Sequence, residues 1–214
     1  MKKIIIILSI LAGVALILIG FYKIFFASKV PQAFIDKHNE IASLEKEAAK
    51  VSDLNSMPEW STLDKQMNDK KYTDVLKIID SALGRKKDAA VKLDSIDKKL
   101  VELKSMLGEI TDSKIKTSAE KFLEIAKKEN AAKISYNNLQ VKMLEKMKAM
   151  VGILEKNPQT MSVADEKTVN DLIKQIDDLK IQIAAAEKEM NGAQSQYKET
   201  EKEFFSLAGL EIAK

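Results

Sequence analysis

Apolar positions follow two patterns along this chain. The first is continuous. From Ile4 to Tyr22 only Ser9, Gly13 and Gly20 interrupt an apolar run, which follows Lys2 and Lys3. At 1.5 Å per residue such a helix spans about 28 Å, close to the hydrocarbon thickness of a bilayer. The second pattern is periodic and runs from Phe34 to the end. There the apolar residues recur every three or four positions, the spacing of one stripe on a helix.

The periodic region predicts a series of helices. Phe34, His38, Ile41, Leu44, Ala48 and Val51 form the first stripe, after a break at Pro31. Leu54–Pro58 reads as a turn, with Ser56 as N-cap and Pro58 near the first helical position. A short helix with Trp60, Leu63 and Met67 on one face follows, closed by the polar run Asn68–Lys71. A long third helix carries Leu76, Ile79, Leu83, Ala90, Leu93, Ile96, Leu100, Leu103, Leu107 and Ile110. It continues through Gly84, because a glycine costs about 1 kcal/mol against alanine, too little to stop a packed helix. Thr111-Asp112-Ser113 ends it.

A fourth helix bears Phe122, Ala126, Ala132, Tyr136, Leu139, Met143, Met147, Met150 and Leu154, and stops before Pro158. Asn157–Ser162 is the next loop. The last helix has the most regular stripe: Val169, Leu172, Ile176, Leu179, Ile183, Ala186, Met190, Ala193, Tyr197, Thr200, Phe204 and Leu207. Alternating steps of three and four over that length are a coiled-coil signature. Short loops between long helices require them to fold back antiparallel. The expected fold is all-α: one N-terminal transmembrane helix, then an elongated antiparallel three- or four-helix bundle or coiled coil. Residues 1–29 form the expected anchor and residues 30–214 the expected bundle.

A cleaved signal peptide is the alternative for the first segment. Its apolar core exceeds the usual length, and cleavage after Ala27 would put Phe25 where a small residue is wanted. Lys2, Lys3 and the amino terminus favour a cytoplasmic start, against Lys23 and Lys29 on the far side. The bundle is therefore expected outside the cytoplasm, on a single-pass membrane protein.

Composition narrows the chemistry. Lys and Arg number 35 against 32 Asp and Glu, with a formal net charge of +3. Arg85 is the only arginine, so the positive charge is nearly all lysine, which lacks the planar fork that reads phosphates and bases. With acids interleaved, no nucleic-acid partner is expected. There is no cysteine, which excludes disulfides, thiolate metal sites and a cysteine nucleophile.

His38 is the single histidine and falls on an apolar stripe. Ile35 stands where a di-iron bundle needs glutamate, and the cysteine pair of zinc deaminases is missing, so His38 reads as a packing or surface residue. Met143, Met147 and Met150, with Met161 nearby, read as core filling rather than an adaptable groove. Tyr136-Asn137-Asn138 puts amides in mid-helix, expected to face solvent rather than to set register. Asp177-Asp178 reads as a solvated face. No phosphate loop or nucleophile elbow is present. No catalytic, cofactor-binding or metal-binding residue is assigned, and no enzyme is expected.

Lys71-Tyr72, Val75-Leu76, Ile79 and Ala82-Leu83 resemble the turn and second helix of a tetratricopeptide hairpin. The resemblance covers about twenty residues of a repeat of about 34 and implies a helix–turn–helix connection there. The layout of an anchor and long helices also resembles the sensor domains of bacterial chemoreceptors, which implies a ligand-sensing bundle that signals through a partner protein.

The leading expectation is a membrane-anchored, extracytoplasmic structural or protein-interaction module. Its partners would be the lipid bilayer through the N-terminal helix, and another protein or a second copy through helical surfaces. The ligand-sensing bundle is the alternative, or a secreted holdase-type chaperone if the N-terminal segment is removed.

Overall fold

Strong helix formers fill the periodic stretches, and these fold as long helices joined by short, capped turns. The computed structural model describes residues 29–157 and 159–210. Within them run α1 (Gln32–Ser52), α2 (Leu63–Asn68), α3 (Tyr72–Ser105), α4 (Ser113–Lys156) and α5 (Val163–Ala208). Three 3₁₀ turns, Leu54–Ser56, Trp60–Thr62 and Met106–Glu109, lie in the connections. The expected anchor lies outside the described residues. Among the described residues no helix is long and apolar enough to cross a membrane.

The helix ends have identifiable causes. Asp112 accepts from the backbone N–H groups of Lys114 and Ile115, and Ser162 accepts from that of Asp165, so both are N-caps of long helices. Gly209 closes α5 at φ 68°, and Leu210 N–H reaches back to the Phe205 carbonyl. Ser56 is not an N-cap. Its hydroxyl donates to the Asp53 carbonyl and accepts from Arg85, while Asp53 caps the turn instead. Trp60 sits in a 3₁₀ turn ahead of α2 rather than within it. α3 runs unbroken through Gly84, as its stripe implies.

The helices stack in sequence order: α1 packs on α3, α3 on α4, and α4 on α5. Ion pairs record the antiparallel register. Lys37 meets Glu102 at 2.9 Å between α1 and α3, Lys148 meets Asp80 at 2.6 Å between α4 and α3, and Lys121 meets Glu203 at 2.9 Å between α4 and α5. Such surface pairs add up to about 1 kcal/mol each, so they mark the register more than they stabilise it. α5 has 46 residues, a length of about 69 Å.

α1 is shorter than the helices it lies on, which divides the bundle into two ends. At one end α1, α3, α4 and α5 share a core that includes Phe34, Ile96, Leu103, Phe122 and Phe204. At the other, Met57 and Leu63 of the connecting segment take the place of α1 and pack with Val75, Ile79, Leu144 and Val151. Met147 and Met150 border this second core, and Met161 is exposed, so the methionine stripe is core filling only in part.

Two stripes depart from expectation. In α3 the buried positions between Leu83 and Leu93 are Lys86 and Ala89, with Ala90 half-buried. At the end of α5, Phe205 and Ala208 turn inward and Leu207 stays 46% exposed. The reason is the aromatic cluster, where Phe205 packs edge-on against Phe204 at 5.2 Å.

Candidate functional site

α1 seats its backbone on α3 and reaches α4 and α5 through side chains. Where those side chains are large, the space between α1 and α5 is closed. Phe34 meets Phe204 at 5.6 Å between ring centroids, and His38 lies 4.8 Å from Phe205 and 5.7 Å from Phe122. One to three turns further along α1, Glu45 reaches Lys133 of α4, while the small residues lining the same stretch are Ala42, Ala48 and Ala49. These cannot bridge the gap, and it opens into a cleft of about 550 Å³ between α1 and α5, floored by α4 and α3.

The floor is polar and buried. Glu129, Lys133, Tyr136, Asn137 and Gln140 follow helical spacing on one face of α4 and line the cleft. Glu129 and Asn137 are 1% and 3% exposed. Lys133 Nζ lies 2.6 Å from Glu129 Oε1 and 2.9 Å from Glu45 Oε1 of α1, one cation between two carboxylates. Burial pushes the Glu129 carboxyl up, against the downward pull of Lys133. For Lys133 the two carboxylates outweigh burial and hold the ammonium above its ordinary value.

Asn137 donates from Nδ2 to the Lys86 carbonyl at 3.1 Å, and Asn130 donates to the Leu93 carbonyl at 3.1 Å. These amides lock α4 to α3. The expectation that Asn137 faces solvent is therefore corrected: it is a buried register residue, while its neighbour Asn138 is exposed. Oδ1 of Asn137, Oε1 of Gln140 and Oε2 of Glu129 have no hydrogen-bond partner among the described residues. Such buried, unpaired acceptors cost about 1–3 kcal/mol each.

The consecutive basic pair on α3 anchors the cleft's far end. Arg85 donates to the carbonyls of Val51, Lys50 and Asp53, and Lys86 Nζ donates to the Ser52 carbonyl at 2.6 Å. Together they satisfy the open carbonyls at the C-terminus of α1. The single arginine thus holds a helix end. Lys86 is 2% exposed and has no ion pair with a carboxylate among the described residues. Burial lowers its pKa to about 8.

At the near end, His38 presents Nε2 to Glu201 Oε1 at 2.9 Å, and Tyr197 donates its hydroxyl to the same oxygen at 3.2 Å. A carboxylate only accepts, so His38 Nε2 carries a hydrogen, and Nδ1 has no partner among the described residues. Burial and the nearby carboxylates push the Tyr197 phenol far above its ordinary value. His38 packs on the apolar stripe as its spacing implies, 4% exposed. Among the described residues no group of three or more His, Asp or Glu side chains could hold a metal ion. Asp177 and Asp178 lie exposed on α5, away from the cleft.

His38, Tyr136 and Asn137 were singled out in the sequence; Lys86, Glu129, Lys133 and Gln140 were not, although a signal was there. The α3 stripe skips from Leu83 to Ala90, and the α4 stripe from Ala126 to Ala132. Lys86, Glu129 and Asn130 occupy the missing helical positions. No family model, curated protein or solved structure matches the chain.

Proposed function

We propose that this domain is a small-molecule-binding helical bundle, held at a membrane by residues 4–22, with the cleft between α1 and α5 as its ligand site. The carrying observation is a 550 Å³ cleft between α1 and α5 whose floor is built from polar residues of α4: Glu129, Lys133, Tyr136, Asn137 and Gln140. That volume is in the range of small-molecule sites, about 300–1,000 Å³. Buried polar groups are almost always paired, and a stable bundle of this length has no need of them. The proposed role is binding rather than catalysis, with the outcome passed to a partner protein from outside the cytoplasm.

The interaction-module reading, with the regular α5 stripe as a coiled-coil seam, comes second. Val163, Ile173 and Ile181 favour it, since these large apolar residues of α5 are exposed. They are spread along the helix rather than gathered in a patch, so they support it less than the cleft supports a ligand.

The test is thermal unfolding of the full chain in detergent against a panel of small metabolites: cations, anions, zwitterions and neutral polyols. A cleft-filled Ala49→Trp variant serves as control, because Ala49 is exposed and lines the cleft. At least one class should raise the melting temperature of the wild type and leave the variant unmoved. A panel in which no compound separates the two proteins overturns the reading.

A further inference from the structure

The chain joins the bundle at Lys29 and Val30. Lys29 Nζ lies 3.7 Å from Oδ2 of Asp112, the N-cap of α4, and Val30 is 1% exposed in the core it shares with Phe34, Leu107 and Phe204. Residues 23–28 are all that separates the apolar run ending at Tyr22 from this attachment. Fully extended, that link reaches at most about 25 Å. Four of its residues, Ile24, Phe25, Phe26 and Ala27, are apolar, so drawing it out into water costs free energy. A bilayer holding residues 4–22 is therefore close to this end of the bundle.

The end is formed by the start of α1, the turn 106–112 and the close of α5. Gly108 and Leu207 are exposed there, and Met106 and Leu210 are half-buried. The opposite end also exposes apolar residues, Met161 and Val163, but Val163 lies about 68 Å away along α5, beyond the reach of the link. The long sides carry charged pairs, such as Lys148 with Asp80 and Lys121 with Glu203, which favour water over lipid.

We infer that the bundle stands end-on on a lipid surface, with the turn 106–112 and the close of α5 in contact with the bilayer. This rests on the membrane anchorage proposed above for residues 4–22. It also sets the source of the cleft's ligand. Ala42 and Ser52, which line the cleft, lie about 15 and 30 Å along α1 from Gln32. The cleft opens to the water above the bilayer, and its ligand arrives as a soluble molecule rather than out of the lipid.

Fluorescence quenching on the full chain in phosphatidylcholine vesicles tests this. The chain has no cysteine, so single introduced ones can each carry a nitrobenzoxadiazole label. Gly108→Cys and Leu207→Cys report the attached end, Ile181→Cys a long side and Val163→Cys the opposite end. All four positions are exposed, and a Cβ at Gly108 meets nothing within 4 Å. Lipids with a nitroxide near the headgroup should quench the labels of the first two variants at least about three-fold more strongly than those of the other two. Comparable quenching at all four positions would mean a bundle lying flat, and stronger quenching of Val163→Cys a reversed one; either overturns the inference. Protein that floats with the vesicles while no label is quenched also overturns it, and leaves the anchorage standing. Protein that does not float with the vesicles removes both.

Discussion

Phe122 and Glu129 lie about two turns apart on α4, each 1% exposed, in surroundings that could hardly differ more. Around Phe122 the rings of Phe204, Tyr197 and His38 fill the space between helices, with Phe204 stacked at 5.6 Å and an interplanar angle of 9°. Around Glu129 the residues of α1 are Ala42, Ala48 and Glu45, the last reaching Lys133, and polar groups line an open cleft. At the aromatic end large side chains fill the space between helices, although His38 Nδ1 and Ser118 Oγ have no partner among the described residues. The middle leaves hydrogen-bonding capacity over. Burial alone therefore does not mark a core: what matters is whether side chains from facing helices fill the space between them.

The comparison can be broken from the packed side first. Phe122→Ala should destabilise the domain by about 4 kcal/mol, because a large buried ring is lost and a cavity left behind. Urea unfolding of the full chain followed by circular dichroism measures it, and a loss below about 1 kcal/mol would mean the aromatic cluster is not a tight core.

The next effect is a pH dependence on the polar side. The folded-state pKa of Lys86, about 8, lies below its ordinary 10.5. The unfolded chain therefore binds more protons between those values, and stability contributed by this residue rises as pH climbs from 8 toward 10.5. Below pH 8 both states are protonated and the penalty is present in full. The gain in wild type relative to Lys86→Met should be up to about 3 kcal/mol across that window. Parallel stability curves for the two proteins from pH 7.5 to 10.5 would refute it.

A smaller effect concerns the carboxylate pair. Lys133→Met leaves Glu45 and Glu129 facing each other without a cation, at a cost of about 2 kcal/mol. The cost is limited because burial already favours the neutral form of Glu129, which can take up a proton instead. Adding Glu129→Gln to Lys133→Met should recover most of the loss. A double mutant no more stable than the single would show that packing of the lysine stem, not charge, sets the effect.

Much of the architecture was legible before the fold was known. The stripes located the long helices, and Pro31, Asp112, Pro158 and Ser162 located their boundaries, because capping and periodicity are local physics. Two kinds of feature were not legible. Local turn chemistry around Ser56 depended on Arg85, a residue 29 positions away, which takes the Ser56 hydroxyl as an acceptor. The end of the α5 stripe depended on aromatic packing: Leu207 fits the heptad, but Phe205 fits the cluster.

The cleft belongs to a third kind. A skipped position in one stripe, such as Lys86 or Glu129, reads as an ordinary surface residue, since a single helix does not show what will face it. Periodicity in the sequence determined where the helices run and most of each apolar stripe, because side-chain direction follows from 3.6 residues per turn. Only the tertiary structure decided that the polar gaps of α3 and α4 meet at one level, opposite the alanines of α1. That alignment is set by the antiparallel register, which arises from contacts between residues far apart in the chain, such as Asn137 with Lys86 and Lys133 with Glu45.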